Sequence, residues 1–324
     1  MTFAADLCAG LSLPAICAPM FLVSGPELIR EACKAGLVGG IPRPNARDAA
    51  EFEGWMREVT EALKTHRDAD PGRPVGPIAV SVDMRMPETE IVETFRTCAR
   101  YGVNVFITAA GDPSEFIRRA HGEGAYVMHD ITSIRFAEKA IRAGADGLNC
   151  IGAGGGGHSG LISHLALIPR VRSIFDGVIV MGGAVANGAG IRAAEVLGAD
   201  LAYLGTRFIA TLEARVAQEY KDLLVSDSSS DLLYTGDVAG VPASWMVNSI
   251  RRAGLDPFDL PKPLGHGLKY DHLPPDARPW KELWSAGQSI DLIDEILPVA
   301  ELVDRLRAEY RAACAIPPFT GALL

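Results

Sequence analysis

A short pattern of polar and apolar positions recurs along the chain. A helical stretch ends at a glycine, a small or polar residue follows, and a run of four to six apolar residues comes next. The clearest copies are residues 143–151 and 197–204, and looser copies lie at 35–41 and 101–108. Such a glycine closes a helix in the left-handed conformation, and a continuous apolar run is typical of a strand buried in a parallel sheet. The pattern therefore predicts repeated strand and helix units.

Eight such strands can be placed along the chain. They are predicted at residues 15–18, 37–41, 77–82, 104–108, 125–129, 146–151, 178–181 and 201–204. Helical periodicity lies between them, for example at residues 26–34, 48–66, 88–100, 133–143 and 188–197. Eight strands alternating with helices is the count that closes a barrel, whereas a doubly wound open sheet more often uses about five or six. We therefore predict an α/β fold, a (β/α)8 TIM barrel, over residues 1–225.

The alternation of strand and helix patterns ends after residue 225. Residues 226–231 are polar, prolines and glycines interrupt residues 257–279, and helical periodicity returns at 290–313. We expect residues 226–289 to form a mostly helical or irregular lid near one mouth of the barrel. Residues 290–324 are expected to hold a helix that packs back on the barrel. Three lid tryptophans, Trp245, Trp280 and Trp284, could roof a site, although packing alone would account for at least two of them.

Composition and charge narrow the function classes. The net charge of −9 comes from 40 acidic and 31 basic residues, and neither sign forms a long block. This argues against nucleic acid or an anionic membrane as a partner. No apolar run reaches the roughly 20 residues that cross a bilayer, and no basic segment precedes the first apolar stretch, so we expect a cytoplasmic protein. The six cysteines lack a CxxC spacing, which predicts mostly buried free thiols.

Glycines follow three neighbouring strands at the end where a barrel carries its site. Residues 152–160 after the sixth strand hold six glycines, Gly182 and Gly183 follow the seventh, and Gly205 and Thr206 follow the eighth. Backbone N–H groups exposed in such loops suit a phosphate, and barrels frequently bind one between the loops after strands seven and eight. Tight turns alone could explain one such loop. Three adjacent loops favour a phosphate site.

His158 lies within the glycine run after the sixth strand. No apolar periodicity surrounds it, so a packing role is hard to argue, and an imidazole there could donate a hydrogen bond or accept a proton. His129 and His164 are weaker candidates, with hydrogen bonding to nearby backbone as the alternative. The sequence has no HExxH, no His/Cys cluster and no GxSxG, so it predicts neither a metal site nor a serine hydrolase.

Several motifs together resemble one family. They are Pro19-Met20 after the first strand, the GGGGHSG loop at 154–160, Gly182-Gly183, the stretch AAEVLGADLAYLGTRFIATLEA at 193–214, AGVPA at 239–243 and WSAGQ at 284–288. The chain resembles the nitronate monooxygenases, formerly called 2-nitropropane dioxygenases. The resemblance implies a (β/α)8 barrel that binds FMN and uses dioxygen to convert alkyl nitronates to carbonyl compounds and nitrite.

The resemblance also implies roles for individual residues. His158 would be the active-site histidine, acting as a base or polarising the nitro group. The cofactor contacts implied are Ala18, Pro19 and Met20 against the flavin ring, Gly155, Gly156, Gly157, Gly182 and Gly183 near the ribityl chain and phosphate, Gly205 and Thr206 on the phosphate, and Ser285, Gly287 and Gln288 from the lid. Ser81 and Asp130 would stand near the cofactor where family members often have asparagine and lysine.

Two other functions stay open. The departures at Ser81 and Asp130 are compatible with an NAD(P)H-dependent flavin reductase of an enoyl thioester or a quinone. Glycine loops alone are also compatible with a barrel that binds a phosphate ligand without redox chemistry. In each case we expect a small-molecule substrate, with O2 or NAD(P)H as co-substrate for the redox functions, and the sequence leaves a homodimer open.

Overall fold

The computed structural model describes residues 3–265 and 267–317, and its core is a closed barrel of eight parallel strands. The strands of the molecule are β1 Ala15–Cys17, β2 Val38–Pro42, β3 Ile78–Asp83, β4 Val105–Ala109, β5 Tyr126–Ile131, β6 Gly147–Ile151, β7 Gly157–His158, β8 Val178–Gly182, β9 Leu201–Leu204, β10 Leu232–Thr235 and β11 Ala243–Met246. The barrel runs from β1 to β6 and closes through β8 and β9 onto β1. The predicted (β/α)8 barrel is confirmed, with strand ends shifted by at most two residues.

Helices surround the barrel. They are α1 Phe3–Cys8, α2 Pro26–Lys34, α3 Ala49–Ala69, α4 Glu88–Arg100, α5 Ser114–Gly122, α6 Ile134–Ala143, α7 His164–Arg172, α8 Gly188–Leu197, α9 Thr206–Ile209, α10 Gln218–Ser226, α11 Val247–Arg252 and α12 Val299–Cys314. Three short 3-10 helices lie at Arg43–Asn45, Ser229–Asp231 and Gln288–Leu292. Each barrel strand is thus followed by a helix before the next barrel strand begins.

The repeated Gly-Ala-Asp motif has a structural cause. Gly144 and Gly198 end α6 and α8 with φ of 90° and 103°, the left-handed conformation that glycine adopts without strain. Two residues on, Asp146 accepts a hydrogen bond from the N–H of Val127 on β5 at 2.8 Å, and Asp200 accepts one from Ile179 on β8 at 2.7 Å. Each aspartate therefore links the start of its own strand to the preceding barrel strand.

The barrel interior is apolar through most of its depth. Its buried side chains are Ile16, Ala18, Val38, Ala79, Val105, Ile107, Met128, Val178, Val180, Leu201 and Tyr203. Leu7 of α1 belongs to the same cluster, and Phe3 stacks on Tyr126 with ring centroids 4.4 Å apart. Helix α1 therefore covers the end of the barrel at which the strands begin, and the opposite end is the one available to ligands.

The segment after the barrel contains strands that periodicity did not reveal. Strand β11 pairs antiparallel with β10 on one side and with β7 on the other, so His158 and Gly157 pair with Ala243 and Ser244. The C-terminal helix begins only at Val299, since Pro298 sets its start, and the predicted helical stretch from residue 290 was too long. Residues 318–324 of that predicted element lie outside the described residues.

Gly76 gives a test of close packing beneath β3. A Cβ at Gly76 would lie 1.8 Å from the Leu37 carbonyl oxygen, whereas a Cβ at Gly54 in α3 would meet nothing within 4 Å. We expect Gly76→Ala to lower the free energy of unfolding by at least about 2 kcal/mol, since the backbone must move. The control Gly54→Ala should raise it by about 0.5–1 kcal/mol. Urea unfolding measures both, and a Gly76→Ala variant as stable as wild type would contradict the packing.

Candidate active site

The carboxyl ends of the barrel strands bring together residues from the first and last strands. Ala18 and Met20 follow β1, and Gly205 follows β9, which pairs with β1. A Cβ placed on Gly205 would lie 3.6 Å from the Met20 Sδ and 3.9 Å from the Ala18 Cβ. Pro19 packs closely against Gly40, since a Cβ added to Gly40 would lie 2.5 Å from the Pro19 Cδ. The residues 18–20 thus form one side of the barrel mouth.

The glycine loop after β6 packs tightly against its neighbours. A Cβ on Gly183, whose φ is 115°, would come within 3.0 Å of the Gly155 nitrogen. One on Gly156 would come within 2.8 Å of the Gly287 nitrogen. Gly157 differs, since its φ is 64° and a Cβ there would meet nothing within 4 Å. Glycine is required along this loop for close backbone approach and, at Gly157, for conformation.

Two adjacent loops carry backbone donors without protein acceptors. In the described part of the chain, the N–H groups of Gly183, Ala184, Gly205 and Thr206 donate to no protein acceptor. These residues follow β8 and β9, whose last residues pair with each other, so the donors lie at one edge of the mouth. Unpartnered N–H groups at the ends of adjacent barrel strands suit an anion such as phosphate.

The lid is joined to both loops through its backbone. The N–H of Gln288 donates to the Gly154 carbonyl oxygen at 2.9 Å, and the N–H of Gly287 donates to the Thr206 Oγ1 at 2.9 Å. Thr206 is buried, and its own hydroxyl hydrogen stays available for a further acceptor. Ser285 is also buried, and its carbonyl accepts a hydrogen bond from the Tyr220 hydroxyl. The sequence-predicted lid residues 287 and 288 therefore contact the glycine loop directly.

His158 lies at the edge of the mouth on β7. Its ring meets that of Trp280 edge to face, with centroids 5.4 Å apart and an angle of 63°. Although His158 is exposed at the mouth, partial desolvation by the surrounding protein lowers its pKa, and the positive charge of Arg85 lowers it further, while Asp83 opposes the shift. The imidazole is therefore neutral near pH 7 and can accept a proton.

Sequence reasoning missed an ion pair that acts on His158. Asp83 ends β3, and Arg85 donates to its carboxylate through Nε at 2.8 Å and also through Nη2. Burial raises the pKa of Asp83, but the hydrogen bonds from Arg85 more than offset it, so the carboxyl is held below its ordinary pKa. Their position in the sequence could have indicated a role at the mouth, since Asp83 directly follows the predicted strand 77–82 and Arg85 lies two residues further on.

An aromatic cluster at the mouth was predicted only in part. The Trp280 ring contacts His158, lies 6.1 Å from Phe21 and lies 5.2 Å from Trp245. Trp245 is fully buried, and Trp284 is buried in a stack with Tyr220 at 4.9 Å. Two of the three lid tryptophans therefore pack in the interior, and Trp280 is the one beside the candidate base.

The barrel lumen below the mouth contains polar side chains. Ser81 alternates along β3 with the lumen residue Ala79, and Asp130 alternates along β5 with Met128. Asn149, paired in register with Asp130, donates its Nδ2 hydrogen to the Asp130 Oδ1 at 2.8 Å. Burial raises the pKa of Asp130 to about 7, and the bond from Asn149 lowers it only in part.

The two weaker histidine candidates form hydrogen bonds within the protein, His129 behind the barrel wall and His164 beside the glycine loops of the mouth. His129 is buried, with its Nδ1 2.8 Å from the Thr108 Oγ1, and desolvation lowers its pKa to about 4. Its position alternates with lumen-facing Met128 and Asp130, so the ring faces the helical layer. His164 begins α7, and its Nε2 lies 2.8 Å from the Gly182 carbonyl oxygen. Both therefore make structural hydrogen bonds, and His164 supports the glycine loops.

The cysteines and the surface add two findings. Cys17, Cys33, Cys98 and Cys150 are buried and free, and Cys8 and Cys314 are exposed and free. Among residues 3–265 and 267–317 there is no group of three or more His, Cys, Asp or Glu side chains that could hold a metal ion. No helix in that same part of the chain is long and apolar enough to span a membrane.

The fold and the mouth together define a (β/α)8-barrel enzyme with its site at the carboxyl ends of the strands. Residues 73–309 match the family model described as nitronate monooxygenase. The chain belongs to the nitronate monooxygenase family, whose members are generally flavin-dependent oxidoreductases. The resemblance inferred from the motifs is therefore confirmed.

Two curated relatives extend over most of the chain. A nitronate monooxygenase from Paraburkholderia phytofirmans is 26% identical, and the match covers 93% of each chain. A (3aS,4S,5R,7aS)-5-hydroxy-7a-methyl-1-oxo-octahydro-1H-indene-4-carboxyl-CoA dehydrogenase from Rhodococcus jostii is 27% identical, over 76% of this chain and 67% of that protein. The relatives of this chain thus carry names for activities on chemically different substrates.

Solved structures agree on the architecture. FabK from Thermotoga maritima superposes with a TM-score of 0.75 at 25% identity, covering 97% of each chain. A nitroalkane oxidase from Streptomyces ansochromogenes gives a TM-score of 0.76 at 24% identity, covering 96% of this chain and 98% of that one. The second likeness shows the fold alone.

Asp130 makes stability depend on pH. Its pKa in the fold is about 7, and that of an unfolded aspartate is about 4, so the folded chain holds the proton between these values and loses stability as pH rises through them. We expect Asp130→Asn to gain stability relative to wild type over this range, by at most roughly 1.4 kcal/mol per pH unit, and to level off above about pH 7. Urea unfolding at a series of pH values measures the difference. A constant difference between pH 5 and pH 7 would contradict a protonated carboxyl.

Proposed function

We propose that this protein is an FMN-dependent nitronate monooxygenase, which oxidises alkyl nitronates with dioxygen to a carbonyl compound and nitrite. The observation that carries the proposal is the position of His158. A neutral imidazole, held by strand pairing to β11 and by the Trp280 ring, lies at a barrel mouth lined with glycine loops. Membership of the nitronate monooxygenase family supports the same reaction.

The residues at the mouth fit FMN. The unpartnered N–H groups after β8 and β9, with the Thr206 hydroxyl, would hold the phosphate. Glycines 155–157, 182 and 183 would leave room for the ribityl chain, and residues 18–20 would lie along the ring. Ser81 and Asp130 would stand below it, and Ser285, Gly287 and Gln288 would border it from the lid. When bound, the flavin would supply the electron acceptor that none of the twenty side chains provides.

His158 would act on the proton of the substrate. Its neutral form would accept the proton from the carbon that bears the nitro group, or its N–H would hold an oxygen of a substrate that arrives already deprotonated. Arg85 stands near it and keeps a free Nη1 within the described residues, so its positive charge would favour the anionic form of the substrate. These two side chains would together bind and polarise the reacting group.

The role of His158 has a direct test. We expect His158→Ala to retain flavin and to lose on the order of 10²-fold or more in turnover of neutral 2-nitropropane, from which a base must remove a proton, because this is the usual contribution of a positioned acid or base. Nitrite release and oxygen uptake measure the rate, and the flavin absorbance spectrum measures retention. With 2-nitropropane, wild-type kcat/KM should fall on acidification as His158 becomes protonated, and it should do so at a lower pH than for an ordinary histidine, because the pKa of His158 is lowered.

A matched control for this variant is His66→Ala, on the outer helix α3. It should keep wild-type turnover, so that a loss confined to His158→Ala reports on the mouth. Near-normal nitrite release by His158→Ala would make the histidine structural. Absence of nitrite from flavin-loaded wild type would exclude nitronate oxidation.

Gly205 tests the phosphate position without disturbing the fold. Its φ of −104° is open to any residue, and a Cβ there would make only ordinary contacts at 3.6 Å or more. We expect Gly205→Ala to unfold like wild type and to bind FMN about tenfold or more weakly, since the methyl group occupies the space for the phosphate. Flavin fluorescence titration of the apoprotein measures the affinity.

The control for the cofactor experiment is Gly236→Ala in the lid, where a Cβ would also lie 3.6 Å or more from other atoms. Its FMN affinity should equal that of wild type. Equal affinity in Gly205→Ala would remove Gly205 from the phosphate site. A purified protein that is colourless and takes up no FMN would favour the phosphate-binding barrel without redox chemistry.

A second candidate is a flavin-dependent oxidoreductase acting on an acyl thioester, which is favoured by the likeness to the CoA dehydrogenase of Rhodococcus jostii. Asp130 in the lumen, whose pKa burial raises to about 7, is compatible with this reaction as well. Rapid anaerobic bleaching of the flavin by NADH or NADPH would favour a reductase of an enoyl thioester or quinone. Flavin that stays oxidised would exclude it.

A further inference from the structure

The mouth exposes apolar surface beside the candidate base. Phe21 is 45% exposed and Leu22 is 37% exposed, although both follow directly on the barrel residues 18–20. Phe21 lies nearly perpendicular to Trp280, at 84°, and Trp280 in turn meets His158 at 63°. We call Phe21, Leu22 and Trp280 the aromatic wall. Rings that meet at steep angles leave faces and edges free, and these are the surfaces to which another flat ring binds.

The aromatic wall is held in place by strained backbone. Leu22 and Trp280 have φ of 61° and 62°, a conformation that is uncommon for residues with a side chain. The N–H of Leu22 donates to the Asn45 Oδ1 at 2.9 Å, and the N–H of Trp280 donates to the Leu283 carbonyl oxygen at 2.8 Å. Strain that the surroundings maintain in this way is typical of residues kept in position for binding.

Asn45 also holds the loop that carries Phe21 and Leu22 through its side-chain amide nitrogen. Its Nδ2 donates to the carbonyl oxygens of Met20 at 2.9 Å and of Ser24 at 2.8 Å. Trp280 rests on the fully buried Trp245, so its ring cannot retreat into the lid. The aromatic wall is therefore held in position by the protein alone. Contiguous apolar residues exposed in this way are typical of a binding surface.

The charged side chains of the mouth lie close to His158, and the aromatic wall itself carries no charge. Asp83 and Arg85 act electrostatically on His158, and the Arg85 side chain is 52% exposed. A substrate that contacts both regions needs an anionic group for Arg85 and His158 and an apolar body for Phe21 and Trp280. The adjacency of Trp280 and His158 requires the two parts to be joined directly or through one or two atoms.

We propose that the aromatic wall selects the anions of carbon acids in which an aryl or similarly flat unsaturated body adjoins the anionic group, such as arylmethyl nitronates, over short alkyl nitronates. The choice of nitronate rests on the proposed function. The preference for a flat apolar body rests on the wall alone.

The experiment compares kcat/KM for phenylmethane nitronate and ethyl nitronate. We expect wild type to favour the phenyl compound by about tenfold or more, and Phe21→Ala to lower this ratio by a similar factor, since one ring contact is lost. Phe21→Tyr, which keeps the ring, should restore the ratio. Phe258→Ala, which removes an aromatic side chain of the lid that is 74% exposed, should leave it at the wild-type value.

A binding measurement separates this proposal from the reaction. Phenylacetate and acetate carry the same carboxylate, and their affinities for wild type and Phe21→Ala are measured by quenching of tryptophan fluorescence. Phenylacetate bound more tightly than acetate, with the difference reduced in Phe21→Ala, supports the wall even if no nitronate is oxidised. Equal affinities, or an unchanged difference in Phe21→Ala, would overturn it whatever the outcome with nitronates.

Discussion

The close approach of two backbone segments is the contact on which the site depends. Residues 154–156 of the loop after β6 lie against residues 286–288 of the lid, with the Gln288 N–H bonded to the Gly154 carbonyl. No side chain larger than hydrogen fits at Gly156 or Gly287 without displacing the other segment. This contact brings the lid to the barrel mouth and places β7 where it can pair with β11. The position of His158 follows from both.

The chemistry of the mouth is divided between backbone and side chains. Backbone N–H groups after β8 and β9 direct positive dipole ends toward the mouth. An anion can therefore be bound there without a charged side chain. Arg85 and Asp83 form an ion pair that acts electrostatically on His158, and burial raises the pKa of Asp130 to about 7 in the lumen below. A candidate base with a lowered pKa beside a guanidinium would suit the removal of a proton from a carbon acid.

Periodicity predicted the barrel because each strand is short, apolar and preceded by a glycine-capped helix, and these signals are local. The glycine loops could also be predicted, since their position after consecutive strands is a property of the chain order. The lid strands could not: Leu232 and Tyr234 are only partly buried or exposed, and β7 has two residues. Pairing of His158 with Ala243 joins residues 85 positions apart, and no local pattern encodes it.

The side chains that surround His158 were missed for a related reason. Asp83, Arg85, Phe21 and Trp280 are single residues in three separate segments, and only the closed barrel brings those segments to one mouth. The pairing of Asp130 with Asn149 depends on the register between β5 and β6, which joins residues 19 positions apart and which no local sequence pattern encodes.

Strand β7 belongs to two structures at once, since it is part of a barrel loop and the edge of the lid sheet. The lid therefore cannot swing away from the mouth as an independent flap: β11 must either release β7 or carry it along. In the first case His158 loses its support, and in the second it leaves the mouth. An opening wide enough to admit a large ligand would therefore displace His158, the candidate base, so that closure of the lid and placement of His158 at the mouth would occur together.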